Sequence, residues 1–187
     1  MPHLIGERIR LREYRREDLL PMREWVNDPV ITESLSDTFL YPQTIQDTEA
    51  FIEGAMEGAG GHRGFIIAHR HTEDYIGQID LFEIDWKNRV AELGLVIGSQ
   101  VNQGRGYGTE AIRLLQRFVF QSLNLNRLQL EVYDYNRPAL RCYEKCGFIE
   151  EGRLRQRQFR NGGYCDLILM AILREEYERQ EQVQRTL

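Results

Sequence analysis

The chain has 187 residues, of which 42% are hydrophobic and 28% charged, a balance that buries a core rather than one that stays disordered. Its 24 Lys and Arg against 29 Asp and Glu leave a formal net charge of −5, which excludes the broad positive field of a nucleic-acid binder. No apolar run approaches the roughly 20 residues that cross a bilayer, and residues 1–14 carry charges with no apolar signal core, so a cytoplasmic protein without a membrane partner is expected.

Residues 8–12 alternate polar and apolar, the pattern of a half-buried strand. Leu19, Met22, Trp25 and Val26 then recur at helical spacing within residues 16–26, and Asn27-Asp28-Pro29 ends that helix. Thr44 and Asp47 have the spacing of a capping box, so a second helix is expected after Thr44. Phe51, Ile52, Ala55 and Met56 form its apolar stripe, and the glycines within 58–61 close it. Strand patterns at 65–68, 75–82 and 90–97, separated by polar turns, predict an antiparallel meander.

A glycine cluster, Gln103-Gly104-Arg105-Gly106-Tyr107-Gly108, leads straight into a helical pattern whose stripe is Ala111, Ile112, Leu115, Phe118 and Val119. Residues 128–132 read as a strand and 138–146 as a short helix stopped by Gly147. Two strands at 150–159 and 164–173 flank Asn161-Gly162-Gly163, a hairpin turn. The polar residues 175–187 read as a tail, helical or frayed. No repeat, low-complexity tract or linker interrupts the chain, so a single domain over 1–187 is expected, with its core at about 7–174.

Cys142, Cys146 and Cys165 are odd in number and lack a Cys-x-x-Cys pair, so free thiols are expected rather than a disulfide framework. Cys142 and Cys146 stand four apart on the short helix, but zinc wants three or four ligands and no histidine is near them in sequence. His3, His62, His69 and His71 fall in no chemical motif. No metal is expected.

A glycine-rich turn between strand and helix binds phosphate because missing side chains let backbone N–H groups approach the anion, and the helix start adds a favourable dipole. A P-loop would require Gly-Lys-Ser/Thr, and the cluster has no lysine. A dinucleotide fingerprint would require glycine where Thr109 or Ala111 stands. What remains is Gln-x-x-Gly-x-Gly. This resembles the acetyl-CoA pyrophosphate loop of the GNAT N-acetyltransferases. About thirty residues on, Asn136-Arg137-Pro138-Ala139-Leu140-Arg141-Cys142-Tyr143-Glu144-Lys145-Cys146-Gly147-Phe148 is similar to that family's Asn…Ala…Tyr-x-x-x-Gly-Phe segment. The order of elements matches as well, from residue 8 to about 173.

The resemblance implies an α/β (α+β) fold: a mixed, mostly antiparallel sheet of about seven strands, two of them splayed at a bulge, with about four flanking helices. It implies acetyl-CoA as cosubstrate, with the backbone at Leu95, Val96 and Ile97 holding the pantetheine arm and polarising the thioester carbonyl. Gln103, Gly104, Arg105, Gly106, Tyr107, Gly108 and Thr109 would take the pyrophosphate, and Asn136 would hydrogen-bond the cofactor arm. Tyr143 matches the general-acid tyrosine. The base is open: Glu92, at the start of the strand leading to the bulge, is preferred over Asp80 and Glu83.

Residues 147–152 and the segment Arg160-Asn161-Gly162-Gly163-Tyr164-x-Asp166 resemble the branch holding ribosomal-protein N-terminal acetyltransferases and spermidine acetyltransferases. The resemblance implies an acceptor that is a small cationic amine such as a polyamine, or alternatively a peptide N-terminus, and these shared motifs do not choose between them. Glu49, Glu53 and Glu57 on the second helix, with Glu33 and Asp37 before it, would make an acidic mouth that favours a cation; a plain solvated helix face is the competing account. A CoA-binding sensor without catalysis is the reading from another class. A homo-oligomer is compatible with the family, and the sequence names no interface.

Overall fold

The computed structural model describes residues 4–61 and 63–186, with side chains up to 183, so His3 and His62 lie outside the described residues. The backbone gathers into two compact units, Met1–Phe82 with Gly94–Leu114, and Glu83–Leu93 with Leu115–Leu187.

The first unit begins with β1 (Leu4–Ile5) and β2 (Ile9–Arg12), then a 3-10 turn at Arg16–Asp18. Three helices follow, α1 (Leu19–Trp25), α2 (Pro29–Thr32) and α3 (Ile45–Glu57). Next come β3 (Arg63–His69) and β4 (Tyr75–Asp85), then the second part of β5 (Val90–Ile97) and the first two turns of α4 (Tyr107–Arg117). β1, β2, β3 and β4 pair antiparallel in succession, with Leu4 opposite Leu11, Ile9 opposite His69 and Phe65 opposite Ile79. Met22, Trp25, Val26, Ile31, Ile52 and Val96 form one apolar cluster there, which is what the helical stripe on α1 exists to fill.

Local chemistry explains where these helices start and stop. The Thr44 hydroxyl accepts the Asp47 N–H at 3.2 Å and Asp47 accepts the Thr44 N–H at 2.7 Å, so two orphan donors are satisfied reciprocally. Gly58 closes α3 in the left-handed conformation, at φ 68°. Asp28-Pro29 both ends the first helical run and starts α2: Pro29 enters the first turn and the Asp28 side chain accepts the Val30 N–H. Of the expected stripe on α3, Ile52 is buried while Phe51 and Met56 stay largely exposed.

The second unit holds the first part of β5, a π turn at Phe118–Ser122, β6 (Arg127–Tyr133), α5 (Arg137–Lys145), β7 (Ile149–Arg160), β8 (Gly163–Leu173) and α6 (Arg174–Thr186). β5 and β6 are parallel, with Val90, Ala91 and Glu92 opposite Arg127, Leu128 and Gln129. The ladder covers those three pairs although β5 runs on to Ile97 and β6 to Tyr133. β6 pairs antiparallel with β8 along its whole length, and β8 with β7 across the Asn161-Gly162 turn, where both residues take positive φ.

The strand order is β1-β2-β3-β4-β5-β6-β8-β7, a mixed and mostly antiparallel sheet. Eight strands stand where about seven were expected, because β1 is two residues long and too short to show a period. Six α-helices are described rather than four: α2 is a single capped turn, and the C-terminal tail is helical as α6. Cys142, Cys146 and Cys165 are free thiols. Among the described residues no helix is long and apolar enough to cross a membrane, and no cluster of three or more His, Cys, Asp and Glu is placed to hold a metal.

Candidate active site

In the first unit the site is the end of β5 and the turn into α4. Ala91 and Leu93 are buried two residues apart, but the next buried position is Val96, three further on. Leu95 and Ile97 are half-buried, while Val96 packs into the cluster with Trp25. The Gly98 N–H reaches the Ile76 carbonyl at 2.9 Å, tying this stretch to β4. A Cβ at Gly98 would lie 2.6 Å from Trp25 and 2.7 Å from Tyr75, so only glycine passes here.

Gln103, Gly104, Arg105 and Gly106 form an exposed turn, and Tyr107, Gly108 and Thr109 make the first turn of α4. Gly104 has φ 71° and Gly106 φ 83°, conformations that L side chains resist, so both glycines are required by the backbone itself. The Glu110 N–H is the donor that reaches back to the Gly106 carbonyl, at 3.1 Å. The N–H groups of residues 107–109 therefore precede the helical ladder and face out of its start, the arrangement that receives an anion.

Sequence patterns missed what braces this turn. The Arg8 guanidinium donates to the Arg105 carbonyl at 2.7 Å and to the Glu110 carboxylate at 3.1 Å, and lies 5.1 Å over the Tyr107 ring. Glu110 also accepts the Arg8 backbone N–H at 2.9 Å. Arg8 and Glu110 stand about a hundred positions apart, beyond any local pattern.

In the second unit, Asn136 caps α5, its side-chain carbonyl accepting the Ala139 N–H at 3.3 Å. That contact leaves the amide NH2 as a donor. Tyr143 is buried on α5, edge-on to Phe148 at 5.8 Å, and its hydroxyl makes no hydrogen bond among the described residues. Burial pushes this phenol well above its ordinary pKa, with smaller pushes from Cys142 and Cys146, so it carries its proton at any working pH. Glu92 is half-buried on β5. Desolvation raises its carboxyl, the charges of Glu131 and Glu83 add to that, and a hydrogen bond from Gln129 opposes it. Arg127 Nε in turn donates to Gln129 Oε1 at 2.9 Å, which turns the Gln129 NH2 toward Glu92.

The other carboxylates are placed differently. Asp80 is buried on β4 and accepts the Tyr14 hydroxyl at 2.6 Å. Glu83 is exposed on the same strand at φ 45°. Glu33 and Asp37 are exposed in the α2–α3 connection, and on α3 Glu49, Glu53 and Glu57 are all exposed, Glu53 lying 3.7 Å from Arg16.

The acetyltransferase (GNAT) domain family matches residues 8–149. The spermidine N(1)-acetyltransferase of Escherichia coli strain K12 is 32% identical over 180 residues, covering 90% of this chain and 88% of its own. The prophage-derived N-acetyltransferase YokL of Bacillus subtilis is 29% identical over 92% of this chain and 94% of its own. Among solved structures, spermidine N-acetyltransferase from Vibrio cholerae in complex with CoA and spermine superposes with a TM-score of 0.80 at 28% identity, over 92% of this chain and 99% of that one. With the glycine turn, the capped α5 tyrosine and the mixed sheet already in place, the match over most of its length makes this chain a member of the GNAT acetyltransferase family.

Proposed function

We propose that this chain is an acetyl-CoA-dependent N-acetyltransferase that moves acetyl to a primary amine of a small cationic molecule, a polyamine in the first instance, by direct attack. The observation that carries the reading is the turn at 103–108, with Gly104 and Gly106 at positive φ opening onto the first turn of α4. Relatives named for spermidine acetylation support the acceptor class.

Acetyl-CoA supplies an activated thioester. The amides of residues 103–108 bind its pyrophosphate, and Arg105, whose side chain is exposed, adds a charge-assisted contact. The backbone at Leu95, Val96 and Ile97 holds the pantetheine arm and points N–H groups at the carbonyl, where negative charge develops on attack. Asn136 donates its free amide N–H to the same arm. An alkyl ammonium has an ordinary pKa near 10.4 and must lose a proton before it attacks. Glu92 takes that proton, directly or through water, and its raised pKa makes it a better acceptor than a surface glutamate. Tyr143 gives its proton to the departing sulfur. Glu33 and Asp37, both exposed, supply negative charge that draws a cation, with Asp80 and Glu83 as further carboxylates toward it. We take the chain as one catalytic domain, because β4 and β5 each run from one compact unit into the other.

The test is CoA thiol release from acetyl-CoA against spermidine, spermine, aminoglycosides, amino acids and peptides with Ser or Ala N-termini. Turnover with the polyamines is expected, with Tyr143→Phe slower by about 10²–10⁴-fold. The substitution breaks no hydrogen bond among the described residues, so its melting temperature should stay with the parent. Turnover with peptide N-termini alone would overturn the acceptor, and tight acetyl-CoA binding without turnover would make the chain a sensor.

A further inference from the structure

We infer that Arg8, locked by Glu110, is a positioning residue that sets the direction of the Gly106 N–H and so tunes the affinity of the glycine turn for the pyrophosphate of acetyl-CoA. The inference rests on the reading of that turn as the pyrophosphate site, and concerns a pair of residues outside it.

In a trans peptide the C=O and the N–H of one plane point in opposite directions. The Arg105 carbonyl and the Gly106 N–H share a plane. Arg8 Nη1 binds that carbonyl at 2.7 Å and holds it, so the Gly106 N–H is turned the other way, away from Arg8. Gly104, two residues before, has no heavy atom within 4 Å of where a Cβ would sit, so the turn is uncrowded there. A turn with two glycines at positive φ has many accessible conformations, and an external grip on one of its carbonyls reduces that freedom before the anion arrives.

The grip is itself over-determined. Glu110 Oε2 accepts Arg8 Nε at 3.1 Å, and Glu110 Oε1 accepts the backbone N–H groups of Arg8 at 2.9 Å and Ile9 at 3.3 Å. The carboxylate thus fastens the start of β2 to the first turn of α4 through three donors. Gly6 allows the approach, since a side chain there would overlap Glu110 Oε1. The guanidinium also covers the Tyr107 ring at 5.1 Å, and a Cβ on Gly106 would come within 3.2 Å of Arg8 Nη2. Arg8 therefore touches the turn at the Arg105 carbonyl and at the Tyr107 ring. A lysine could not reproduce this, because the flat guanidinium serves a carbonyl, a carboxylate and a ring face at once.

The experiment pairs two acetyl donors, acetyl-CoA and S-acetylpantetheine, which carries the same thioester without the pyrophosphate. Arg8→Ala, Arg8→Lys and Glu110→Gln are compared with the parent for the KM of each donor and for acetyl-CoA binding by calorimetry. Losing a charge-assisted hydrogen bond and the order it imposes should raise Kd and KM for acetyl-CoA about tenfold in Arg8→Ala. The KM for S-acetylpantetheine and the kcat with either donor should stay within about twofold of the parent. Glu110→Gln keeps the backbone contacts and loosens the guanidinium, so it should show the same selective loss at smaller size. An equal loss for both donors would mean that the pair merely holds the fold, and unchanged acetyl-CoA affinity would mean that the turn needs no brace; either result overturns the inference. If Arg8→Ala does not fold, the Arg8→Lys and Glu110→Gln ratios between donors decide it. A parent protein that binds acetyl-CoA no better than S-acetylpantetheine would instead remove the pyrophosphate reading itself.

Discussion

Arg12 and Asp18 form an ion pair with 4% and 2% of their side chains exposed, so its removal is a stringent test of how the first unit is held. The guanidinium meets both carboxylate oxygens, at 2.7 and 2.9 Å, and Asp18 also accepts the Arg15 N–H at 2.8 Å. In Asp18→Ala the remaining partners of Arg12 are two backbone carbonyls, of Glu13 at 2.9 Å and Glu73 at 3.3 Å, while its Nε has no hydrogen bond among the described residues. The buried guanidinium would then keep two backbone carbonyls and the charge of Glu73, which makes no side-chain hydrogen bond to it. Breaking a buried pair in this way costs about 3–5 kcal/mol. In a protein of this size each kcal/mol lowers the melting temperature by about 2–4 °C, so a drop of about 6–20 °C is expected in thermal unfolding followed by circular dichroism. The double substitution Arg12→Leu with Asp18→Leu removes both charges, and it should regain most of that loss. A fall of less than about 3 °C in Asp18→Ala, or a double variant worse than the single one, would refute the reasoning.

Further outcomes follow from the same kind of accounting. Burial first, then the charges of Glu131 and Glu83, hold the Glu92 carboxyl above its ordinary range, and a base acts only when ionised, so kcat/KM should fall as pH drops through that raised value. Glu131→Gln removes a repelling charge, lowers the Glu92 pKa and moves this acidic limb to lower pH; a limb that stays put or moves up counts against Glu92. The stability sign is the reverse: a carboxyl with a raised folded pKa is held best when protonated, so Glu92→Gln should raise the melting temperature at neutral pH and leave it unchanged below about pH 4, under the unfolded glutamate pKa. A Cβ at Gly77 would overlap the Val96 carbonyl, so Gly77→Ala must push β4 from β5 and should cost about 1–3 kcal/mol. An unchanged melting temperature there would show that the two strands part freely.

Much of the fold was legible because it is specified over short distances. The capping box of Thr44 and Asp47, the Asn161-Gly162 turn, the stop at Gly147 and the glycine turn before α4 each depend on a handful of neighbouring residues, and each is where the patterns put it. The stripe on α3 was read less well: period picks out Phe51 and Met56 as readily as Ile52, but of these three only Ile52 is buried, Phe51 reaching Tyr14 with one edge while it stays exposed. Asp80 shows the same limit for the site. The sequence offers it as an alternative base, while its burial against the Tyr14 hydroxyl comes from a residue 66 positions away.

Sequence alone determined the order of elements, the glycine turn before α4 and the positions of Asn136 and Tyr143, because glycine conformation, helix capping and side-chain period are local properties of the chain. Tertiary structure decided the rest. It supplied the Arg8–Glu110 brace under the turn, the burial that keeps Tyr143 protonated, and the Glu131, Glu83 and Gln129 surroundings that set the Glu92 carboxyl. Those are matters of desolvation and of charges brought together from distant parts of the chain, and they come into being only when the strands pair.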